Sequence, residues 1–150
     1  MPIKTFRGLI ADDTQDTVVL HTNDGSTGYK IVKFEIMPNN PFAQDYESFV
    51  QIFKTTQTTN PGTVDFSNQV LLAAAMWSSR GSAESYPEDK HIIFDNEIFN
   101  QDIYVTFQDT KVNDGMNYYI ELEQIKLDLQ ENTVATLKDI RNITGGTALV

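Results

Sequence analysis

The chain has 150 residues, a formal net charge of −10 and no cysteine. That length suits one domain with a core of its own, and without cysteine this sequence has no disulfide, thiolate metal ligand or cysteine nucleophile. The acidic charge, with a sequence pI near 4.4, argues against non-specific binding to nucleic acid or to an anionic membrane, because both require a basic surface.

The sequence also shows no signal for export or membrane insertion. No apolar run approaches the roughly 18 residues of a membrane-spanning helix, and residues 1–6 are too short and too polar for a secretory signal. We therefore expect a single domain over residues 1–150, with loose ends at 1–2 and 144–150.

Alternating apolar and polar residues predict four strands in the first half of the chain, because successive side chains of a strand point to opposite faces. The strands cover residues 3–10, 17–22, 30–37 and 46–54. Polar clusters rich in Asp, Asn, Thr and Gly separate most of them and predict turns.

The third of these strands has the clearest pattern. Val32, Phe34 and Ile36 alternate with Lys33 and Glu35, so the three apolar residues are expected to face the core. The proline that follows ends the strand, because proline cannot donate to a ladder.

The apolar run Val70 to Trp77 fits two structures. Its alanines and leucines favour a helix, whereas its short length and its apolarity on all sides fit a strand buried on both faces. We predict a strand, because strands flank the run and no capping residues frame a longer helix. The segments around it, 55–69 and 78–90, are predicted loops.

Residues 91–129 predict the longest hairpin of the fold. Its arms are 103–108, where Ile103, Val105 and Phe107 share one face, and 118–129.

Two local features complete the predicted hairpin. Asp114-Gly115 would supply the positive φ of its turn. The apolar phase of the second arm slips by one residue at Glu123-Gln124, which predicts a β-bulge there, because one unpaired residue returns the apolar face to the core.

The period changes from two to three towards the C-terminus. Val134, Leu137 and Ile140 are spaced by three, and two cations lie in the last turn, where they suit the helix dipole. The pattern predicts a short helix over residues 132–141, packed on the end of the sandwich.

Together these elements predict an all-β fold. About eight strands with turn signals between them favour an antiparallel β-sandwich, jelly-roll-like, with a short C-terminal helix. An immunoglobulin-like sandwich is the alternative, although its Cys–Trp–Cys core signature is absent.

Metal-ligand patterns are weak. His21 and His91 have no second histidine or cysteine at ligand spacing. Asp12, Asp13 and Asp16, or the cluster Asn23-Asp24-Gly25, could offer oxygen ligands to calcium. Neither cluster has the spacing of an EF-hand loop, and turn formation explains both. We expect neither a metal nor a cofactor.

Catalytic patterns are weak as well. Paired carboxylates for glycoside hydrolysis could come from Glu97, Asp102, Glu121 and Glu123, but the last two lie on one strand face, where a solvated surface is the plainer explanation. The sequence has no nucleophile elbow, Walker-type loop or Rossmann glycine fingerprint. We predict that the protein is not an enzyme.

The aromatic residues outnumber the places that a two-sheet core offers them. Exposed aromatic residues on a sandwich can bind sugars or a neighbouring protein, whereas a further layer of chain would simply bury them. The candidate interface residues, including one from the terminal segment, are Phe42, Trp77, Tyr86, Tyr104, Tyr119 and Ile143.

Five stretches carry a resemblance at the level of whole strands, which covers most of residues 3–143. They are Gly28–Pro38, Val64–Gln69, Ile92–Tyr104, Tyr118–Leu129 and Thr133–Asn142. They resemble small virion structural proteins of tailed bacteriophages from marine settings. The likeness transfers no catalytic residue.

The resemblance implies a non-enzymatic component of a virus particle, such as a capsid decoration or cement protein on the capsid surface, made in the host cytoplasm. Its partners would be the major capsid protein or other virion proteins, with self-association on the particle and no contact with nucleic acid or membrane.

Two other functions stay open. The spare aromatic residues fit a receptor- or glycan-binding module of a phage tail or fibre. An acidic hydrolase would rest only on Glu121 and Glu123.

Overall fold

The structure is a computed structural model that describes residues 2–22, 25–40, 46–79, 88–94, 97–110 and 115–127. The strands are β1 (Ile3–Ile10), β2 (Thr14–Val18), β3 (Thr27–Pro38), β4 (Tyr46–Phe53), β5 (Leu71–Ser79), β6 (Glu88–Ile93), β7 (Ile103–Asp109) and β8 (Met116–Lys126). Within these ranges the chain forms no helix long and apolar enough to span a bilayer.

The strands form two sheets, and every pairing between them is antiparallel. One sheet has the order β1-β8-β3 and the other has the order β2-β7-β4-β5-β6. Buried side chains from both sheets, such as Phe34 and Phe107, belong to one hydrophobic cluster, as expected of sheets packed face to face. The predicted all-β antiparallel sandwich is confirmed.

The strand order is jelly-roll-like. In a jelly roll the chain folds as one long hairpin that then rolls up, so that the first strand pairs with the last and each following strand pairs inward in turn. The pairs β1·β8, β2·β7 and β4·β5 follow this scheme. The same scheme would pair β3 with β6, but β6 instead extends the five-stranded sheet beside β5. Strand β3 still contacts the part of the chain around β6. Tyr29 of β3 forms an isolated bridge with Phe99, and Oε1 of Glu35 on β3 lies 3.7 Å from Nε2 of His91 on β6.

The predicted hairpin over residues 91–129 is wrong. Its arms form β7 and β8, which lie in different sheets, so the chain crosses the sandwich between them. The alternation within the first arm is right, since Ile103, Val105 and Phe107 are fully buried. Alternation identifies the buried face of a strand but not its neighbour in the sheet. The pattern therefore could not show that the two arms do not pair with each other.

The predicted β-bulge at Glu123-Gln124 is also wrong, because β8 pairs with β3 in regular register through both residues. The apolar phase slips there because β8 ends shortly afterwards, at Lys126. The register shift lies on β3 between Ile31 and Lys33, so Val32 points outward and not into the core as predicted.

Gly115 does not have the positive φ that a hairpin turn would need. The glycine permits a close approach instead: a Cβ built on Gly115 would lie 3.0 Å from the carbonyl oxygen of Ile10 and 2.8 Å from Cδ1 of Leu9. A larger residue at this position would push β1 away from the start of β8.

Several element bounds differ from the prediction. The strand predicted over 17–22 forms over Thr14–Val18, because the amides of Leu20 and His21 donate to the Asp102 carboxylate and not to a ladder. Strand β6 begins inside the predicted loop 78–90. The helix predicted over 132–141 and the loose end 144–150 lie outside the described residues.

The ambiguous run Val70 to Trp77 is confirmed as a strand, β5. Ala73 and Ala75 face the main core, whereas Leu71 belongs to a second cluster with Phe53 and Val70. The run is apolar throughout because the other sheet covers one of its faces and this smaller cluster covers part of the other.

Candidate contact surfaces

The outer face of the five-stranded sheet is partly covered by the segment 54–70, which connects β4 to β5. Side chains of the sheet hold this segment by hydrogen bonds to its backbone. Gln51 Nε2 donates to the carbonyl oxygen of Thr63 at 3.2 Å, and the amide of Gln57 donates to Gln15 Oε1 at 2.9 Å. The cover is therefore a fixed part of the sandwich.

Between this segment and the edge strand β6, a groove of about 320 Å³ remains open. Ala74 lies in its floor, paired with Gln51 on one side and Ile92 on the other. The groove exists because a methyl group leaves space that a larger side chain would fill. We call it the apolar groove; its lining includes Phe49, Val64, Phe66, Ala74, Met76 and Ile92.

The walls of the apolar groove expose large apolar side chains to solvent. Phe66 is 54% exposed, Met76 and Ile92 are each 42% exposed, and Val64 is 41% exposed. Phe66 is held edge-on against Phe94, with ring centroids 5.1 Å apart. Scattered apolar residues are common on protein surfaces, but four around one concavity mark a contact site.

Charged residues lie at one end of the apolar groove. Lys90 lines the groove beside Met76. One row further along the sheet, Ser78 pairs with Glu47 on β4 and with Glu88 on β6, and both glutamates are exposed. This end of the groove is therefore acidic and would favour a partner with a cation there.

The outer face of the three-stranded sheet forms a second surface. Tyr119 of β8 lies between Arg7 of β1 and Glu35 of β3. In the next row Asn117 lies between Leu9 and Met37, which are 53% and 60% exposed. We call this surface the tyrosine face; its residues are Arg7, Leu9, Glu35, Met37, Asn117 and Tyr119.

The tyrosine face is more polar than the apolar groove. The Tyr119 hydroxyl donates to Glu121 Oε2 at 2.7 Å, and this hydrogen bond raises the pKa of Tyr119 above its ordinary value. An aromatic ring among an arginine, an asparagine and two carboxylates provides stacking and hydrogen bonds together, which suits a polar ligand.

Three of the predicted interface residues lie in the described part of the chain, and they do not share one surface. Trp77 lies on the inner side of β5, packed against the core, and its Nε1 donates to Ser79 Oγ at 3.0 Å. Tyr104 is half-buried on β7, paired with Phe53 and Thr17. Of these three described residues, Tyr119 is the one on the tyrosine face. Phe42, Tyr86 and Ile143 lie outside the described residues.

His21 and Asp102 form a small hydrogen-bonded unit at the edge of the sandwich. Asp102 Oδ1 accepts hydrogen bonds from the amides of Leu20 and His21, and it lies 2.7 Å from His21 Nδ1. Burial raises the pKa of Asp102, but these hydrogen bonds outweigh it and lower the pKa below its ordinary value. The unit fixes the chain after β2.

The four candidate carboxylates do not converge. Glu97 pairs with the buried Lys54, Asp102 holds the chain after β2, and Glu121 and Glu123 are neighbours on the outer face of β8, as predicted. In the part of the chain that the structure describes, no three histidine, aspartate or glutamate residues are placed to hold a metal ion.

Reasoning from the sequence missed the apolar groove. Its strongest signal was Val64-Asp-Phe66, two apolar residues in a segment otherwise poor in large side chains. Met76 and Ile92 could not be paired with it, because only the fold shows which edge strand lies beside that segment.

The chain is thus a jelly-roll-like antiparallel sandwich. Its two sheets carry different outer surfaces, the tyrosine face and the apolar groove. Comparisons with protein-family models, with curated proteins and with solved structures find no match to it.

Proposed function

We propose that the chain is a non-enzymatic structural protein of a bacteriophage virion. It decorates or cements the capsid surface through contacts with the major capsid protein or neighbouring virion proteins. The observation that carries this proposal is the apolar groove, whose exposed side chains gain stability when a partner covers them. The strand-level resemblance stated above supports the kind of partner.

Rigidity also supports a binding role. The groove lies between β6, which is paired with β5, and a segment that partly buried hydrogen bonds hold in place. A partner would therefore meet a surface that is already shaped. Preorganised surfaces lose little entropy on binding. The acidic exterior, with its net charge of −10, keeps copies of the chain dispersed and away from packaged nucleic acid.

The test is binding of the recombinant chain to capsids of the encoding phage that lack it. Met76→Asp and Ile92→Asp each place a carboxylate in the groove, and we expect each to weaken binding at least about 30-fold, the effect of losing roughly 2 kcal/mol at a hot spot. Met37→Asp on the tyrosine face is the matched control and should bind like the wild type. Wild-type protein that does not bind, or equal loss in all three variants, would contradict the proposal.

A second candidate function, a receptor- or glycan-binding module of a tail or fibre, is favoured by the tyrosine face. A glycan array probed with the wild type and with Tyr119→Ala tests it, and Tyr104→Ala, on the other sheet, is the control. Sugar binding lost only in Tyr119→Ala would support this function. An array without signal would eliminate it.

A further inference from the structure

Strand β1 forms one edge of the three-stranded sheet, and in the described part of the chain it pairs with β8 alone, in regular register. The amide of Gln124 donates to the carbonyl oxygen of Pro2 at 2.9 Å, so these two residues form a hydrogen-bonded pair of the antiparallel ladder. Such pairs alternate with non-hydrogen-bonded pairs. The even-numbered residues of β1 therefore turn their backbone groups towards β8, and the odd-numbered residues turn theirs away.

The outward backbone groups include those of Ile3, Thr5 and Arg7. Among the described residues, no backbone group bonds to these three on the side away from β8, and all three residues are exposed. We call the stretch Ile3–Arg7 the open edge. An edge of this kind can take up an extended segment of another chain, because main-chain hydrogen bonds then continue the ladder.

The open edge is basic although the whole chain is acidic. Strand β1 contains Lys4 and Arg7 and no carboxylate, whereas the chain carries 21 acidic and 11 basic residues. The neighbouring carboxylates of β8, Glu121 and Glu123, are each paired on their other side with a lysine of β3. The charge at the open edge therefore favours a partner that brings carboxylates.

The same two cations argue against a second copy of the chain as the partner. Two open edges side by side would bring Lys4 and Arg7 of both copies to one ladder, where like charges repel. Lysine on an edge strand is a common means of preventing such self-pairing. Each copy would also carry its net charge of −10 to the contact.

We propose that the open edge binds an extended acidic segment of another protein, which adds to the three-stranded sheet as a further strand beside β1. When the segment runs antiparallel to β1, its residue opposite Arg7 is acidic. The next residue is apolar and lies against Phe6, which is partly buried and packs on the core. The residue opposite Lys4, three places after the first, is acidic again.

This contact is separate from the apolar groove, which lies on the other sheet. The inference therefore goes beyond the proposed function and does not depend on it.

A synthetic peptide tests the inference on the full-length protein. The acetylated peptide amide Thr-Thr-Glu-Val-Thr-Glu-Thr-Thr carries the acidic and apolar residues in the order that the open edge requires. In a nuclear magnetic resonance titration we expect the amide signals of Ile3, Thr5 and Arg7 to shift and their hydrogen exchange to slow, because these amides gain acceptors. The control peptide has lysine in place of both glutamates and should bind at least about tenfold more weakly.

Variants of the protein separate main-chain pairing from charge. Thr5→Pro removes one outward N–H, which an edge strand tolerates on its solvent side, and should weaken binding of the acidic peptide by about tenfold. Thr5→Val keeps that N–H and should bind like the wild type. Lys4→Glu with Arg7→Glu should also weaken binding, and Lys30→Glu with Lys33→Glu, the same change of charge on β3, should not. The charge variants keep the test decisive if Thr5→Pro does not fold.

Absence of binding, equal binding of the two peptides, or unchanged binding in both the Thr5→Pro and the Lys4→Glu, Arg7→Glu variants would overturn the inference. A dimer of the free protein, detected by sedimentation and lost in Thr5→Pro, would also overturn it, because the open edge would then serve a second copy. None of these measurements uses capsids, so their outcome is distinguishable from that of groove-dependent capsid binding.

Discussion

At the scale of single residues, a tyrosine that packs against a glycine links the two sheets by a hydrogen bond. Tyr118 of β8 lies under Gly8 of β1, and its hydroxyl donates to Asp16 Oδ2 on β2 at 3.1 Å. Burial, together with the Asp16 carboxylate, raises the pKa of Tyr118 far above its ordinary value. The hydroxyl therefore stays protonated and remains a donor across the working pH range.

Gly8→Ala should destabilise the protein by about 1–3 kcal/mol, the usual effect of overpacking. The added Cβ would lie 2.8 Å from the Tyr118 hydroxyl oxygen and 2.9 Å from Cζ, and the packed ring cannot withdraw. Urea unfolding measures the change. Gly62→Ala is the control, because nothing lies within 4 Å of its Cβ, and it should be neutral or slightly stabilising. Equal stability of the two variants would contradict this account.

The hydrogen bonds of Asp102 should make the stability of the protein depend on pH in the acid range. Its pKa is lowered in the folded protein, so its contribution is complete above the pKa of about 3.9 that an unfolded aspartate has, and is lost as the pH falls through the lower folded value. Asp102→Asn should therefore lose less stability between pH 6 and pH 2 than the wild type. Parallel stability curves for the two proteins, measured by urea unfolding, would argue against it.

At the scale of elements, the irregularity in β3 decides how the three-stranded sheet contributes to the core. Tyr29 and Ile31 before the register shift, and Phe34 and Ile36 after it, are all buried. Ile31 and Phe34 are three residues apart, so in a regular strand their side chains would point to opposite faces of the sheet and could not both enter the same core. The extra residue, Val32, lets one strand bury its two halves on one face.

Deleting Val32 should therefore cost more than about 3 kcal/mol. It would turn either Tyr29 and Ile31 or Phe34 and Ile36 towards solvent, at roughly 1.5–3 kcal/mol for each large apolar side chain. Val32→Ala, which keeps the spacing, should stay within about 0.5 kcal/mol of the wild type, because Val32 is exposed. Thermal or urea unfolding compares the two, and a mild deletion would show that β3 does not need the extra residue.

At the scale of the whole molecule, charge opposes compactness. The chain carries 21 acidic and 11 basic residues, and a folded protein brings this excess of like charge together. Salt shortens the screening length from about 30 Å at 0.01 M to about 8 Å at 0.15 M. Sodium chloride over that range should raise stability by on the order of 1 kcal/mol, or about 2–4 °C in Tm.

Differential scanning calorimetry measures this effect, and a neutral osmolyte at equal osmolality is its control. A Tm that falls as sodium chloride rises would mean that attractive ion pairs, such as Lys54 with Glu97, outweigh the net repulsion.

The sequence by itself determined the fold class and most strands of this protein. Alternation marked β1, the main part of β3, and β4 with bounds correct to within about three residues, and the apolar run Val70 to Trp77 was correctly predicted as a strand. These features are local: each follows from which side chains of one segment prefer to leave water, and that preference is written in the order of its residues.

Tertiary structure alone decided which strands are neighbours and where the contact surfaces lie. Alternation in β7 and in β8 as far as Leu122 was read correctly, but the sheets that these strands join depend on competition among all strands for partners. The apolar groove depends in the same way on Ala74, Phe66 and Ile92 meeting from three separate segments. Such a surface leaves no periodic pattern in the sequence, because its residues are close in space but not regularly spaced along the chain.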